Sequence, residues 1–534
     1  TKYPNSMYLF PTEELEVMGI IRSLQNKKSS GTDEISDDTI KRCYQNLIKP
    51  LTYIINLSLS TGVFPDNLKI AKVKPLYKKG SETDVENYRP LSLLSVFSKI
   101  IEKVMLSRLI SFLKGHDIIT NSQHGFCKGK STNTAITDFI KEVYNSMDNK
   151  GTSIGIFLDL SKAFHLVNHD ILLSKMNKIG IRGVAYKWFE SYLKLRKQKV
   201  EISHRQELTK TMSHHLSEEL PIEDGVPRGS ILGPILFLIY INDLECNITQ
   251  AKSTFFADDT SIFIRGQNIN NINFKINETI NQLVEWFNQN HLIINKGKTV
   301  AISFHHAQNK HFACPSIKID NNEIKYKEQS KFLGVWLDET LKWFTHIQEL
   351  SKRLSKMCFA LLIVRRIARL DTTRALYFAY FHSIMKYGII FWGNAPHVQL
   401  IFKIQKRAIR TIMQVPKRTS CRQLFKDLGI LPLPCMYLYE TMVYIKTNLH
   451  TFSTNSEIHA YNTRIKENLS VTRCKTSLCT NNLNHMGTRM YNFLPHNLKE
   501  ISALSTFKKA LFRFLIDNSF YSINEYFEKN NSLN

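Results

Sequence analysis

The sequence predicts an α+β protein built from several subdomains. The chain has 534 residues, which is too long for one hydrophobic core, and its 43% hydrophobic residues are enough to fold. Two apolar segments with β-prone residues, SIGIFLDL (153–160) and FFADDTSIFI (255–264), indicate strands. Residues 352–426 instead have a helical pattern. Strands are therefore expected in the middle of the chain and helices after them.

The charge of the chain points to a polyanionic partner. The formal net charge is +25, which favours nucleic acid or an acidic membrane surface. No apolar segment approaches the length of a bilayer span, and residues 231–241, the most apolar, are interrupted by Gly233-Pro234. The nine cysteines are scattered and predict free thiols in a reducing compartment. The N-terminus lacks a starting Met and a signal-type segment, so we expect a fragment of a longer product.

The remaining elements follow from apolar periodicity and from residues that begin or end helices. Residues 11–60 are expected to be helical, with Thr12 as the first N-cap and a loop at 27–36. A basic extended segment follows at 70–95, and then a helix from Val96 to about Leu113. A basic loop at 121–132 precedes another helix. After residue 150 we expect a helix capped by Asn168 and ended by Gly180, a Gly-rich turn feeding an apolar helix at 224–244, a turn and strand within 285–304, a short strand at 331–338 and a helix at 505–517.

Three carboxylates carry the chemical interpretation. Asp159 ends one apolar strand, and Asp258 and Asp259 lie between the two apolar runs of the predicted hairpin. Taken alone, the Asp pair fits a solvated turn, because Asp is common in turns. If the strands share one sheet, however, the three acids converge and repel one another unless cations neutralise them. Two Mg²⁺ ions about 3.5–4 Å apart would do so and would suit nucleotidyl transfer.

Seven sequence motifs in order resemble the reverse transcriptases of non-LTR retrotransposons, in particular the jockey-like LINE group. They are VKPLYKKG with ENYRPLSLLS, QHGFCKGKSTNTAI, FLDLSKAFHLVNHDILL, GVPRGSILGPILFLIYINDL, FFADDTSIF, NKGKTVAISF and KFLGVWLD. The resemblance implies a right-hand polymerase with fingers, a palm with an antiparallel sheet, a helical thumb and a mostly helical C-terminal segment. We expect an N-terminal extension (1–68), fingers and palm (69–338), a basic thumb (339–430) and a C-terminal segment of unknown role (431–534).

The resemblance also assigns roles to individual residues. Asp159, Asp258 and Asp259 would bind two Mg²⁺ ions, with Mn²⁺ as an alternative, and Lys298 would protonate pyrophosphate. The incoming nucleotide would be bound by Lys78, Arg89, Phe164, Arg228 and Gly229, with Phe164 excluding a ribose 2′-hydroxyl. Lys79 is an alternative to Lys78 for contact with the triphosphate. For Lys298, an ordinary lysine in a surface turn is an equally good interpretation. Template and primer contacts are expected from Lys128, Lys130, Phe332, Leu333 and Gly334.

The helical region after the predicted palm supports a nucleic-acid partner independently of the motifs. Residues 352–426 contain sixteen Lys and Arg residues against one acid, Asp371. Lys403, Lys406, Arg407 and Arg410 are spaced i, i+3, i+4, i+7, which places four cations on one helical face. Such runs are usually solvated faces, but solvated faces normally mix signs. The sequence therefore predicts phosphate contacts along a duplex.

Two positions depart from the family pattern. His165 stands where relatives usually have Asp, and Arg228 where most have Gln. Two hypotheses follow: an RNA-directed DNA polymerase working by target-primed reverse transcription, or a decayed nucleic-acid-binding relic. The expected partners are template RNA, primer or target DNA and dNTPs, with no membrane and with an endonuclease domain elsewhere in the full-length product. Action in the nucleus, after a cytoplasmic ribonucleoprotein stage, is also implied. YNTR (461–464) and YNFLPHNLK (491–499) resemble the C-terminus of the same group.

Overall fold

A computed structural model describes residues 3–149, 151–205, 212–306, 314–458 and 466–531. The segment YNTR (461–464) lies outside these described residues. The architecture mixes helices and sheets, in agreement with the α+β prediction. Most strands lie between residues 70 and 338, and helices dominate on either side of that region.

The helices of the first 300 residues surround the strands. They are α1 (Glu14–Arg22), α2 (Asp37–Thr61), α3 (Val96–Gly115), α4 (Thr132–Asp148), α5 (His169–Lys178), α6 (Gly183–Leu193), α7 (Gly233–Ile241), α8 (Leu244–Asn247) and α9 (Ile269–Gln289). Short 3₁₀ turns occupy Asp66–Leu68, Val85–Asn87 and Ala163–His165. Asn168 caps α5 by accepting from the Ile171 amide, and Gly180 follows the helix with φ 107°, as predicted.

The strands in chain order are β1 (Ile70–Tyr77), β2 (Tyr88–Leu93), β3 (Thr152–Leu158), β4 (Leu160–Ser161), β5 (Arg196–Arg205), β6 (Met212–Leu216), β7 (Leu220–Ile222), β8 (Lys252–Phe256), β9 (Asp259–Gly266), β10 (Ile293–Ile294), β11 (Val300–Phe304), β12 (Lys318–Ile319), β13 (Asn322–Glu323), β14 (Gln329–Phe332) and β15 (Val335–Asp338). The central sheet is antiparallel, with the order β11-β3-β9-β8. A second sheet has the order β2-β1-β5-β6, with β7 also paired to β5. The strand β1 pairs with β5 in parallel and with β2 in antiparallel orientation.

The C-terminal half is helical. Its helices are α10 (Phe344–Ile367), α11 (Leu370–Leu376), α12 (Ser383–Lys386), α13 (Ile389–Trp392), α14 (Gln399–Met413), α15 (Arg422–Leu428), α16 (Leu433–Thr447), α17 (Asn455–Ile458), α18 (Ser477–Thr480), α19 (Leu483–Asn492), α20 (His496–Lys499), α21 (Leu504–Asn518) and α22 (Ile523–Asn531). A π-helical turn at Tyr377–His382 separates α11 from α12, and a 3₁₀ turn occupies Leu449–Thr451. Among the described residues no single helix is long and apolar enough to cross a membrane, but α15 and α16, bent by 54°, pass that length and composition test as a pair.

Buried apolar residues of the described chain form two large clusters. One lies under α1–α3, α5–α7, α9 and one face of the central sheet, and it includes Trp188, Phe237 and Ile262. The other joins α4 and the other face of that sheet to the helices from α10 to α22. The segment after residue 430 therefore shares its core with the basic helices before it.

Two local predictions were wrong. Glu13, not Thr12, occupies the N-cap of α1, and Thr12 instead donates its hydroxyl to Glu16 Oε2 at 2.7 Å. Residues 331–338 form a hairpin and not one strand, because Leu333 (φ 43°) and Gly334 (φ 92°) turn the chain between β14 and β15. Two successive left-handed residues are the conformation of a tight hairpin turn.

Candidate active site

The three predicted carboxylates lie at one end of the central sheet. Asp159 directly follows β3, and Asp259 begins β9. Leu158 pairs with Thr260 in the antiparallel register, so Asp159 and Asp259 are the next opposed positions. Ala257, with φ 57°, and Asp258 form the two-residue turn between β8 and β9. The sheet therefore brings together side chains that are about 100 residues apart in sequence.

The electrostatics of Asp259 reflect this convergence. Loss of hydration, followed by the negative charges of Asp258 and Asp159, raises the pKa of Asp259 to about 6. Carboxylates that repel one another in this way are stabilised in the ionised form by a cation. Their oxygen donors suit Mg²⁺, which binds through one or two carboxylates, water and phosphate oxygens.

The side-chain positions of this site are not those of a closed metal cage. Among the described residues no group of three or more His, Cys, Asp and Glu side chains is arranged to hold a metal ion. Instead, Asp159 Oδ2 accepts from Lys298 Nζ at 3.2 Å, and both side chains are partly exposed. The ammonium group of Lys298 thus lies on one side of the carboxylate cluster, where it partly neutralises the negative charge.

A further cation, Lys78, reaches the site from the second sheet. Lys78 follows β1, and Arg89 lies on β2 opposite Leu76. The positive charge of Arg89, then loss of hydration and the charges of Lys298 and Lys79, lower the pKa of Lys78, whereas Asp159 raises it. These influences are strong only at short range. Lys78 therefore lies near both Asp159 and the cations Arg89 and Lys298.

Residues 224–232 form a turn that is pressed onto β2. The Ser92 amide donates to Arg228 O at 2.8 Å. Gly229 has φ 126°, and a Cβ atom there would lie 2.3 Å from Ser92 O, so no other residue fits without a shift. On the other side of the turn, the Val226 amide donates to Phe164 O at 2.8 Å. The turn is thus fixed between the two sheets.

The turn directs Arg228 into the site. Its guanidinium Cζ lies 6.0 Å from the centre of the Phe164 ring, at the limit of a cation–π contact. Loss of hydration and the charge of Arg89 lower the pKa of Arg228, and Asp258 raises it. Arg228 therefore stands between the candidate nucleotide-binding residues and the carboxylates.

Phe164 and His165 lie in the 3₁₀ turn after Asp159. The Phe164 ring stacks on Phe237 of α7, with ring centres 4.7 Å apart and planes inclined by 27°. Burial, followed by the charges of Arg228 and Lys162, lowers the pKa of His165 to about 4. His165 is consequently neutral at pH 7. It therefore adds no charge to the site at that pH.

Two buried polar residues support the site, and the sequence analysis did not identify them. Glu102 on α3 is fully buried, and its Oε2 accepts from the amides of Ile231 at 2.6 Å and Leu232 at 3.2 Å. Burial raises the pKa of Glu102, and the charge of the buried Arg196 opposes that rise. The sequence predicted the helix that carries Glu102, but the contact with Ile231 spans 129 residues, so no local pattern identifies it.

Gln123 is the second support. Its side chain is buried, and Oε1 accepts from the Gly125 amide at 2.8 Å and from the Ala257 amide at 3.1 Å. The turn that carries Asp258 is thus held by a side chain from the loop before α4. A single Gln gives no sequence signal for this role, because the contact spans 134 residues.

The predicted template-contacting lysines differ in their surroundings. Lys128 is exposed on the loop before α4. Lys130 donates from Nζ to Gln123 O at 3.0 Å and to Asn121 O, so it closes its own loop. Only Lys128 of the pair presents its ammonium group fully to solvent.

The predicted primer-contacting residues occupy the β14–β15 hairpin. Phe332 is buried, with its ring centre 5.2 Å from those of Phe139 and Phe157. Its ring therefore cannot reach a nucleic acid. Leu333 is half-buried and Gly334 is exposed. The Tyr387 hydroxyl donates to Leu333 O and holds this turn against the helical region.

Two of the four cations predicted to line one face of α14 have partners within the chain. Lys406 Nζ lies 4.6 Å from the ring centre of Phe402 and 5.5 Å from that of Tyr521. Arg410 Nε donates to Thr419 O at 2.8 Å. Lys403 and Arg407 are exposed. The four cations share the side of α14 that is not buried, as predicted, and Tyr521 of the C-terminal segment packs against one of them, Lys406. Their contact with phosphates stays a prediction.

A different helix exposes a basic and apolar face. Lys352, Lys356, Phe359, Ile363 and Ile367 are spaced three or four residues apart on α10. All are exposed, Phe359 by 64% and Ile367 by 86%. Exposed apolar side chains of this size on one face indicate a binding surface.

Comparisons with known proteins agree with the geometry of the site. Residues 76–337 match the reverse transcriptase (RNA-dependent DNA polymerase) family. The chain is 28% identical over 438 residues to the probable RNA-directed DNA polymerase from transposon BS of Drosophila melanogaster, covering 80% of this chain and 47% of that protein. It is 27% identical over 429 residues to the RNA-directed DNA polymerase from mobile element jockey of the same species, covering 78% and 45%.

A third relative extends the match further along the chain. The probable RNA-directed DNA polymerase from transposon X-element of Drosophila melanogaster is 25% identical over 477 residues, covering 88% of this chain and 50% of that protein. The chain thus spans about half the length of these curated relatives. It belongs to the reverse transcriptases of jockey-like non-LTR retrotransposons.

Proposed function

We propose that the chain is an RNA-directed DNA polymerase that extends a DNA 3′-hydroxyl on an RNA template. The observation that carries this proposal is the sheet end at which Asp159, Asp258 and Asp259 come together, with Lys298 bound to Asp159 and Lys78 nearby, next to Arg89. Carboxylates for metal ions beside cations for a triphosphate are the two halves of a nucleotidyl-transfer site. The names of the relatives describe the same activity.

Asp159, Asp258 and Asp259 would hold two Mg²⁺ ions, or Mn²⁺ in their place. When bound, such a pair activates the attacking hydroxyl and stabilises the leaving oxygen. Binding of the first ion would displace Lys298 Nζ from Asp159 Oδ2. The freed ammonium group lies at the correct end of the sheet to protonate the leaving pyrophosphate.

The other residues would bind and select the nucleotide. Arg89 offers phosphate a bidentate fork, and Lys78 offers a point charge. The stacking of Phe164 on Phe237 holds its ring in one orientation, as the exclusion of a ribose 2′-hydroxyl requires. Gly229 allows the turn to approach the base pair, and Arg228 adds a cation that most relatives lack at this position.

In this proposal the central sheet is the palm, and the β1–β2 hairpin belongs to the fingers. The assigned regions remain an N-terminal extension (1–68), fingers and palm (69–338), a thumb (339–430) and a C-terminal segment (431–534). The duplex would follow the exposed face of α10, where Lys356 would meet a phosphate, and Lys352 would do so by leaving Glu349 Oε1, which it contacts at 2.6 Å. The exposed Lys403 and Arg407 of α14 would add further phosphate contacts.

The proposed partners are template RNA, primer or target DNA and dNTPs, in target-primed reverse transcription. Drosophila relatives are about twice as long as the matched chain, which leaves room for an endonuclease domain outside it. Nuclear DNA would be the site of action, reached from a cytoplasmic ribonucleoprotein.

Primer extension on an RNA template with Mg²⁺ and dNTPs tests the proposal. We expect extension by the unaltered chain and a loss of about 10³-fold or more in Asp258→Asn, since a metal ligand is removed. Asp517→Asn on α21 is the matched control, because this exposed carboxylate lies outside the site. Extension that survives Asp258→Asn would disprove the assignment.

The position of Arg228 favours a second candidate, a decayed nucleic-acid-binding relic. The guanidinium group lies between Phe164 and Asp258, in the space proposed for the nucleotide. If Arg228 only impairs polymerisation, Arg228→Gln raises incorporation efficiency in the same assay. Binding of template–primer with no extension in either protein, unchanged by Asp258→Ala, would establish the relic.

A further inference from the structure

The loop before α4 carries an exposed aromatic ring beside the catalytic turn. Phe126 is 60% exposed, whereas most aromatic residues of this region are buried. Its backbone has φ 54°, a left-handed conformation that is unfavourable for any residue with a side chain. Both the exposure of an apolar ring and the left-handed backbone cost free energy. Residues with a strained backbone concentrate at functional sites.

Hydrogen bonds fix the loop on either side of Phe126. The His124 amide donates to Phe255 O at 2.8 Å, and the Phe255 amide donates to Ser122 O at 2.9 Å. Lys130 Nζ closes the loop by donating to Gln123 O at 3.0 Å. Cys127 packs against the hydrophobic core, so the preceding residue faces outward. Phe126 is therefore presented by a hydrogen-bonded frame.

The same frame places Phe126 beside the turn of Asp258. A Cβ atom on Gly125 would lie 2.3 Å from the Ala257 amide nitrogen, so only glycine permits this approach. Gln123 Oε1 bridges the amides of Gly125 and Ala257. Phe126 directly follows Gly125, and the Asp pair directly follows Ala257.

The sheet order decides which ligand lies at Phe126. The order is β11-β3-β9-β8, and Gln123 bridges to Phe255 on β8, the outer strand. Asp159 follows β3 and Lys298 precedes β11, on the other side of β9, and Lys78 of the second sheet lies near both. The triphosphate would bind on that side, so the surface beyond β8 is left for the polynucleotide.

A flat exposed ring and an exposed cation are what a single nucleic-acid strand requires. Bases stack on aromatic side chains regardless of sequence, because every base has a π-face. Lys128, two residues on and exposed, is placed for the adjoining phosphate. We propose that Phe126 is a stacking platform for one base of the template RNA strand at the polymerisation site. This inference rests on the proposed polymerase function and names a binding residue for it.

Equilibrium binding of a fluorescent RNA–DNA template–primer, without dNTPs, tests the platform. Phe126→Ala is expected to weaken binding about 10-fold, the scale of one lost base stack. Phe126→Tyr keeps the ring and should retain the affinity. Phe274→Ala on α9 is the matched control, because Phe274 is 63% exposed and lies on another element. Equal losses in both alanine variants would overturn the proposal.

Two further measurements separate stacking from folding. Phe126→Gly relieves the left-handed strain, so its melting temperature should not fall although its affinity falls as in Phe126→Ala. In a series of templates with one abasic position each, a single position should weaken binding of the unaltered chain about 10-fold and have no further effect in Phe126→Ala. Additive losses at every abasic position would show that the ring stacks on no template base.

These measurements distinguish failure of the stacking platform from failure of the polymerase proposal. If the unaltered chain extends a primer and Phe126→Ala binds normally, the platform alone is wrong. If no protein extends a primer but binding depends on Phe126 as described, the platform stands in a relic. If the unaltered chain does not bind template–primer, both proposals fail.

Discussion

The end of the central sheet and the basic helices α10 and α14 differ in whether the charged side chains seen in the sequence are available to a ligand in the fold. The sheet end was predicted from acids at the ends of apolar strands, and the face of α14 from the helical spacing of its cations. At the sheet end, strand pairing brings Asp159 and Asp259 to opposed positions, whatever surrounds them. On α14, Lys406 and Arg410 are engaged by Phe402, Tyr521 and Thr419, whereas the face of α10 is exposed. A cation in a sequence pattern indicates a ligand only if nothing else in the fold covers it.

The largest expected effect concerns the buried support of the sheet end. Glu102→Ala leaves the amides of Ile231 and Leu232 without their acceptor, and it should lower the free energy of unfolding by about 3 kcal/mol. Urea denaturation measures this loss. Glu102→Gln keeps one acceptor oxygen and should lose less.

A matched carboxylate controls for the loss of charge. Glu142 pairs with the half-exposed Lys252 at 2.8 Å, so Glu142→Ala should lower the free energy of unfolding by about 1 kcal/mol or less. A Glu102→Ala loss as small as this would mean that the turn after β7 does not depend on the buried acceptor. Exposure to solvent would then be the only difference between the sheet end and the basic helices.

The second prediction compares the two helices directly. Lys356→Ala on α10 should weaken binding of an RNA–DNA hybrid and reduce the slope of log affinity against log salt by about 1, since one phosphate contact is lost. Lys406→Ala on α14 should leave that slope unchanged. It should instead lower the free energy of unfolding by about 1 kcal/mol, through the lost contacts with Phe402 and Tyr521. The reverse result would make α14, and not α10, the main nucleic-acid face.

The smallest effect is a pH dependence at the sheet end. The raised pKa of Asp259, about 6, means that the folded state holds its proton more tightly than the unfolded chain, whose Asp titrates near 3.8. Without divalent ions the charge of Asp259 therefore destabilises the fold above pH 6, and the penalty disappears below pH 4. Because the side chain is partly exposed, Asp259→Asn should stabilise by only about 1 kcal/mol at pH 8 and by nothing at pH 3.

Thermal melting with and without Mg²⁺ measures this last effect. Saturating Mg²⁺ should remove the advantage of Asp259→Asn, because the ion supplies the missing positive charge. A stabilisation that is equal at pH 3 and pH 8 would contradict repulsion among the carboxylates as its cause.

Local sequence signals were sufficient for most elements. The apolar runs ending at Asp159 and flanking Asp258, the caps at Asn168 and Gly180, and the helix at 505–517 were all predicted correctly. These signals act over a few residues, through strand alternation, capping hydrogen bonds and left-handed glycine. The hairpin at 329–338 was interpreted as one strand because a two-residue turn hardly interrupts an apolar pattern.

Contacts between distant segments were beyond the reach of the sequence. Phe332 looked available to a primer but is buried between Phe139 and Phe157. Glu102 and Gln123 were not singled out from the sequence, but they hold the two turns of the site. Each of these roles depends on a partner more than 100 residues away, which no local pattern encodes.

By itself the sequence determined the elements, the family to which the chain belongs and the residues that carry charge at the sheet end. Those properties follow from the order of motifs and from backbone preferences that are local. Only the tertiary structure decided which charges are free, which rings are exposed and which buried polar groups hold the turns. Burial and hydrogen bonding are properties of the packed chain, since they depend on what each side chain meets when distant segments come together.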